Sequence, residues 1–307
     1  MRGYKWLDRR LAELDPHTQY HEIVRLFGEY RLNEFLLNIG YTLSFMDVSM
    51  PPHGAKGLVD GGRASIDRPQ QRFEGSLYFF WSWYLFPSDS DQVKRSMRRL
   101  NGIHAGAART APGSFTENAD YVQGMSLLAL VFHRLQRLAG LPGFPEHLRI
   151  ALHNWTRDLS RLLTAENDVP VTDFPTDFDT MAALADAYDE HPWRQTDNGH
   201  AVSEAFIQQF CDRWFPAPLK PMARTVVLTM IPENVRHVMR LDDPHPIGAA
   251  LVRAGLRVMF TVQGWLPDPR TPIYRRKIGK RDSPALKRLK ETGGRTAEPA
   301  KRAAVRS

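Results

Sequence analysis

The sequence contains a single cysteine, Cys211, among its 307 residues. One thiol cannot form an intramolecular disulfide, nor can it build a metal site made of cysteines alone, so both are excluded. Cys211 stands in the apolar segment FIQQFCDRWF. Free cysteines in such segments behave as small hydrophobic residues, so we expect a buried and unreactive thiol.

Long apolar runs are also missing. No stretch reaches the roughly eighteen uncharged residues that a membrane-spanning helix requires. The first twenty residues, MRGYKWLDRRLAELDPHTQY, contain no apolar core of the kind found in signal peptides. From these two features we expect a cytoplasmic protein without a membrane anchor.

Several common catalytic motifs are absent. The sequence has neither a GxGxxG that follows a strand nor a GxxxxGK[ST], which argues against the usual nucleotide-binding folds. It also lacks Glu-x-x-His, HExxH and GxSxG, the signals of di-iron bundles, zinc proteases and serine hydrolases. Cys-x-x-Cys-His, which attaches c-type haem, is missing too, so a haem in this protein would need a histidine ligand.

Positive charge is concentrated near the C-terminus. Residues 273–307 contain twelve Lys and Arg against three Asp and Glu, whereas the rest of the chain contains 29 and 31. We predict a folded domain over residues 1–270 and a disordered basic tail over 271–307. An anionic surface is a candidate partner for the tail. Nucleic acid is not an expected partner, because the body is slightly acidic.

Helical periodicity runs through most of the chain. Apolar residues recur at spacings of three and four, and no segment alternates with a period of two, which predicts an all-α fold in one domain. The exception is residues 50–69, MPPHGAKGLVDGGRASIDRP, where Gly and Pro predict a loop.

The segment RLNGIHAGAARTAPGSFTENADYVQGM places His104 in an unusual setting. His104 shares a helix face with Val93, Met97 and Leu100, while its neighbours are small: Gly102, Ala105, Gly106, Ala107 and Ala108. Glycine in a helix costs about 1 kcal/mol relative to alanine, so these residues suggest close approach by another helix or by a planar cofactor. Taken alone, such a histidine is more typical of a hydrogen-bonded core residue.

A second helix is predicted to begin at Ser114. Ser114 and Glu117 have the spacing of a capping box, in which each side chain binds a backbone amide of the first turn. His133 lies beside the apolar stripe of this helix and is a second candidate ligand.

Upstream, Arg72 and Ser76 share one helix face in QQRFEGSLYFFWSWY and lead into aromatic residues. A cation and a hydroxyl beside an aromatic wall are suited to stabilising polar oxygen species in an apolar pocket. The alternative is an ordinary helix start with an exposed arginine and a packed aromatic end.

In their order along the chain, these segments resemble the MpaB family of oxygenases, which is related to the latex-clearing proteins, or rubber oxygenases. The family pattern runs approximately Lys-Arg-Tyr-Asp-Asp-Thr, then Asn-x-Ile-His in a helix, then Phe-x-x-x-Asp-x-x-Tyr. The matching residues here are Arg72, Phe73, Ser76, Asn101, Ile103, His104, Phe115, Asp120 and Tyr121. The resemblance covers roughly residues 10–265.

This resemblance implies a globin-like, haem-binding helical core with haem b as the cofactor. His104 would be the axial iron ligand, with His133 as the second choice, and Arg72 and Ser76 would lie on the oxygen-binding side as catalytic and cofactor-binding residues. Family relatives use O2 to cleave carbon–carbon double bonds in isoprenoid chains. The expected function is therefore a haem b-dependent oxygenase that acts on an apolar, unsaturated, isoprenoid- or lipid-like substrate.

Two positions depart from the family pattern. Ser76 replaces the usual threonine, and Gly75 stands where the rubber oxygenases have a lysine. No residue matches the carboxylate base of those enzymes. A haem-based oxygen or redox sensor, or a haem-binding protein without turnover, is therefore the alternative function.

Overall fold

The computed structural model describes residues 3–275, and within them it contains fourteen α-helices and no β-strand. The prediction of an all-α fold is confirmed for this part of the chain. The helices are α1 Trp6–Glu13, α2 Tyr20–Arg31, α3 Glu34–Asp47, α4 Pro52–Asp60, α5 Ala64–Asp67, α6 Pro69–Leu85, α7 Asp91–Thr110, α8 Asn118–Leu138, α9 Glu146–Ser160, α10 Phe178–Glu190, α11 Asp197–Trp214, α12 Lys220–Met230, α13 Glu233–Val238 and α14 Pro246–Trp265.

The core forms where α8 packs against α3, α9 and α10, and where α2 and α11 close the two sides. Its largest side chains are aromatic, and those that are fully buried include Trp81, Trp155, Tyr41, Phe73 and Phe206. Cys211 is also buried, as expected, and burial raises the pKa of its thiol. None of the described helices is long and apolar enough to cross a bilayer.

The predicted loop over residues 50–69 is wrong, because most of it is helical in α4 and α5. Pro52 lies in the first turn of α4, where a missing backbone N–H costs nothing. Gly57 lets this helix pack closely, since a Cβ there would stand 3.1 Å from atoms of Ser114 and Phe115. The glycines that predicted a loop are thus used for helix packing.

The predicted capping box at Ser114 is also wrong. Helix α8 begins at Asn118 with Glu117 as its N-cap residue, and the buried hydroxyl of Ser114 has no hydrogen-bond partner among the described residues. Residues 114–117 stay out of the helix because the Phe115 carbonyl accepts hydrogen bonds from the Glu166 amide and the Tyr121 hydroxyl.

Helices α6 and α7 form the antiparallel pair that carries the predicted site residues. Ser90 caps α7 by accepting a hydrogen bond from the Val93 amide at 3.3 Å. The pair is held together by Trp83, whose indole N–H donates to the Ser96 hydroxyl at 3.0 Å. The short connection between the helices fixes their register, so Arg72 near the start of α6 lies close to the last turns of α7.

The two ends of the folded body meet at Asp268, whose carboxylate is fully buried. It accepts hydrogen bonds from the Leu7 amide and from the Arg31 guanidinium, both at 2.8 Å. Further along, Tyr274 packs on Trp81, so packed residues extend past the predicted domain boundary at 270. The predicted tail lies outside the described residues from 276 onward.

We expect Asp268→Ala to lower the free energy of unfolding by about 3 kcal/mol, because it leaves the Arg31 charge and the Leu7 amide without their buried partner. Urea denaturation followed by circular dichroism measures this change. Asp197→Ala is the control, since Asp197 forms an exposed pair with Arg240 and such pairs contribute little. Equal effects of the two substitutions would contradict the assigned role of Asp268.

Candidate functional site

His104 lies on the inner face of α7, where it continues the buried stripe of Val93 and Met97 as predicted. Its imidazole stacks on the Phe115 ring, with centroids 5.2 Å apart, and meets the edge of Tyr121 at 5.7 Å. Phe115 comes from the segment before α8, and Tyr121 from the first turn of α8. Three consecutive pieces of chain therefore enclose this histidine.

The imidazole of His104 is held in its neutral form. Burial lowers its pKa to about 4, and the nearby Arg72 cation acts in the same direction. Its Nδ1 atom is buried and has no hydrogen-bond partner within residues 3–275. A neutral imidazole is the form that ligates a metal ion, whereas a structural core histidine normally satisfies its polar nitrogens. His104 thus lacks the hydrogen bond that the ordinary core interpretation requires.

Arg72 is fixed by residues from two other helices, α3 and α11. Its guanidinium donates to the Tyr41 hydroxyl of α3 at 2.7 Å. It also lies over the Phe45 ring at 4.1 Å and near the Phe206 ring of α11 at 5.7 Å. No carboxylate forms an ion pair with Arg72 in the described part of the chain. Its positive charge is therefore surrounded by aromatic rings and left available to an anionic or polar ligand.

Ser76 lies one turn after Arg72 and is half-buried. Its hydroxyl donates a hydrogen bond at 3.1 Å to the backbone carbonyl of Arg72. The proton of Ser76 is thus used within α6, and its oxygen keeps its capacity to accept.

The small residues near His104 divide into two groups. Ala107 allows α4 to approach, because a Cβ at Gly61 would stand 2.9 Å from the Ala107 methyl group. By contrast, a Cβ at Gly102 or at Gly75 would meet no atom within 4 Å. Ile103, beside Gly102, is 49% exposed. Close packing against α4 thus accounts for Ala107, whereas Gly75 and Gly102 are exposed to solvent.

Asp120, which matches the motif of the resembling family, forms a connection between helices. One carboxylate oxygen contacts His53 Nε2 of α4 at 2.7 Å, and the other accepts from the Tyr188 hydroxyl of α10 at 2.8 Å. Burial raises the pKa of Asp120. Because both oxygens are engaged, Asp120 holds the start of α8 and thereby positions the adjacent Tyr121 against His104.

His133, the second candidate ligand, is satisfied within the fold. Its Nδ1 accepts a hydrogen bond from the Phe144 backbone amide at 3.0 Å, and the ring lies against those of Phe144 and Phe178. Gly143, at a positive φ of 85°, brings the chain into contact with this ring. Through these contacts, His133 anchors the loop after α8.

A buried polar cluster that no sequence pattern indicated borders a cavity of about 490 Å³. Arg134 of α8 lies between Asp189 of α10, at 2.9 Å, and Asp47 of α3, at 3.8 Å. Burial raises the pKa of Asp47 well above its usual value and that of Asp189 to about 6. The cluster shares no residue with the His104 site, and it links three helices of the core.

The described residues contain no group of three or more His, Cys, Asp or Glu side chains that could hold a metal ion. Metal binding at His104 would therefore need a cofactor that brings its own ligands. No protein-family model and no curated protein matches the chain.

The lowered pKa of His104 predicts a specific loss of stability in acid. An unfolded imidazole takes up a proton below about pH 6.5, but His104 in the folded state does so only near pH 4. Falling pH therefore penalises the folded state across this window, by about 3 kcal/mol when complete. In His104→Gln this part of the penalty disappears, so the free energy of unfolding should depend less on pH than in the wild type.

Urea denaturation of the purified protein across this pH window makes the comparison. His17→Gln replaces an exposed histidine and should keep the wild-type profile. If the free energy of unfolding changes with pH equally in His104→Gln and in the wild type, His104 is not a buried neutral group.

Proposed function

We propose that this protein is a haem b-dependent oxygenase that uses O2 on an apolar, unsaturated substrate. The observation that carries the proposal is the state of His104, a neutral imidazole with a buried, unpartnered nitrogen beside the fixed cation of Arg72. The order of motifs that resembles the MpaB family supports it as well.

The residues around His104 fit a haem group. His104 would hold the group through its unpartnered imidazole, and the Phe115 and Tyr121 rings around it would suit an apolar macrocycle. When bound, haem b supplies an iron centre that binds and activates dioxygen. The cofactor would bring the remaining ligands itself, which is consistent with the lack of a cluster of metal-binding side chains in the described residues.

Arg72 would stabilise negative charge as it develops on oxygen during the reaction. Its guanidinium is held in place by Tyr41 and by stacking on Phe45 before any ligand arrives. A preoriented charge in apolar surroundings stabilises a developing anion more strongly than a charge in water does. Tyr41 acts through Arg72 and is therefore a positioning residue.

The aromatic rings around Arg72 and His104 favour an apolar substrate. Phe45, Phe115 and Phe206 reach the two polar residues from three different helices or segments. Binding sites for small molecules combine such apolar walls with a few polar groups that set the orientation. An isoprenoid or a related lipid matches this composition.

A second candidate function is a haem-based oxygen or redox sensor, or a haem-binding protein without turnover. It is favoured by the Ser76 proton, which is donated to the Arg72 carbonyl, and by Asp120, both of whose oxygens are engaged. In this arrangement neither residue is free to act as a proton donor or base.

The ligand assignment is tested by adding hemin to the purified protein and recording the Soret band. We expect stoichiometric binding in the wild type and at least a tenfold weaker affinity in His104→Ala, because the axial ligand is lost. His133→Ala is the matched control and should retain binding. The proposal would be contradicted if the wild-type protein gave no Soret band beyond that of free hemin. Loss of the band in His133→Ala alone would contradict it as well.

Oxygen uptake with a polyprenyl or terpenoid substrate tests turnover in the haem-loaded protein. We expect Arg72→Ala to lower kcat by about a hundredfold, as for the loss of one oxyanion donor, without loss of the Soret band. Tyr41→Phe should lower kcat by a smaller factor, because Arg72 keeps its charge but loses its hydrogen bond. Reversible oxygen binding without uptake on any unsaturated substrate would instead establish the sensor function.

A further inference from the structure

Helix α14 exposes apolar side chains along its whole length. Of its twenty residues, only Ala249 is fully buried, although the helix contains just two charged residues. Leu251 is 69% exposed, Val258 61% and Trp265 72%. The exposed apolar set is Ile247, Leu251, Val258, Met259, Val262, Trp265 and Leu266. Apolar helices of this kind are normally buried, so this face requires a partner.

These residues form one continuous stripe. Leu251, Val258 and Trp265 follow one another at intervals of seven residues, which is two helical turns. Ile247 lies four residues before Leu251, and Val262 lies four residues after Val258. All five therefore share one side of the helix. Twenty residues of α-helix extend over about 30 Å. The opposite side of α14 packs against α12 and α8. Contiguous exposed apolar surfaces of this length mark interaction sites, whereas single exposed residues do not.

The charges around the stripe are positive. Arg253 and Arg257 lie on α14 and are exposed, and neither forms an ion pair with another described residue. The carboxylates within four residues of its ends, Asp242, Asp243 and Asp268, are paired with Arg224, Arg236 and Arg31. Beyond α14, the net charge of +9 on residues 273–307 begins eight residues after Trp265.

We propose that α14 docks on the surface of an anionic phospholipid bilayer. A helix that presents Leu, Val and Trp on one side, with arginines beside them, has the pattern of an interfacial helix. Tryptophan at the end of such a helix favours the headgroup region, and Trp265 takes this position next to the exposed Tyr4. This inference does not depend on the haem site.

The charge decides between a bilayer and a second copy of the chain. Two copies packed through their α14 faces would join two helices whose only charged residues are arginines, so the contact would gain nothing from charge attraction. An anionic bilayer instead attracts every one of these charges. The length of the apolar stripe suits either partner, but only the bilayer matches its charge.

Flotation with lipid vesicles tests this docking. Full-length protein should float with vesicles of phosphatidylcholine and phosphatidylglycerol, and should bind less to phosphatidylcholine alone or at high salt. The double variant Leu251→Asp, Val258→Asp should reduce the bound fraction at least tenfold, because it places two carboxylates in the apolar contact. Leu184→Asp is the matched control, since Leu184 of α10 is also an exposed leucine, with 50% of its surface accessible.

A spectroscopic test avoids relying on a variant that loses binding. Cys211 is buried, so the introduced thiol of Val258→Cys is the accessible one for a dye that responds to polarity. Its emission should shift to the blue on mixing with anionic vesicles, while the dye at Leu184→Cys should not respond. An unchanged spectrum at position 258 would overturn the proposal.

Two further outcomes would also overturn it. Equal binding to neutral and anionic vesicles would remove the electrostatic basis of the proposal. Light scattering that gives the mass of two chains, reduced to one chain by Val258→Asp, would show that α14 is instead an interface between copies. If both vesicle tests fail while the protein still binds hemin, the bilayer proposal is overturned and the proposed function is not.

Discussion

The candidate site depends on one constraint, the placement of an imidazole and a guanidinium in surroundings that allow only one of them to be charged. Arg72 is a guanidinium, which stays protonated in proteins, and the Tyr41 hydroxyl and the Phe45 ring hold it in place. His104 then stays neutral, because burial and the nearby cation both disfavour a second positive charge. Around this pair, Phe115 covers the imidazole and Asp120 holds Tyr121 beside it.

Much of the helical framework could be predicted from local patterns. The segments of α7 and α9 have strong amphipathic periodicity, and both are helical in the structure. Prediction failed where glycine and proline carried the argument. In α4 these residues serve the first turn and close packing, and such uses depend on neighbouring helices that a local pattern does not contain. The error at Ser114 has the same origin, since a distant amide at Glu166 competes for the local backbone.

The candidate site shows a similar division. Arg72, Ser76 and His104 stand in segments with recognisable spacing, so their sequence positions were informative. Tyr41, Phe45 and Phe206 could not be predicted, because they reach Arg72 from helices far away in the sequence. The hydrogen bond from Ser76 to the Arg72 carbonyl could not be predicted from the sequence either, and nor could the exposure of α14. A helix with apolar periodicity has the same pattern whether its apolar face is buried or open.

The contact at Asp268 has a topological consequence. It brings the chain near residue 7 against the chain near residue 268, so α1 and the segment after α14 are joined although they are about 260 residues apart in sequence. The same region adjoins the C-terminal end of α14, where Tyr4 donates a hydrogen bond to the Trp265 carbonyl. A circular permutant that connects these two segments would need only a short linker, and its new termini could open far from both α14 and His104.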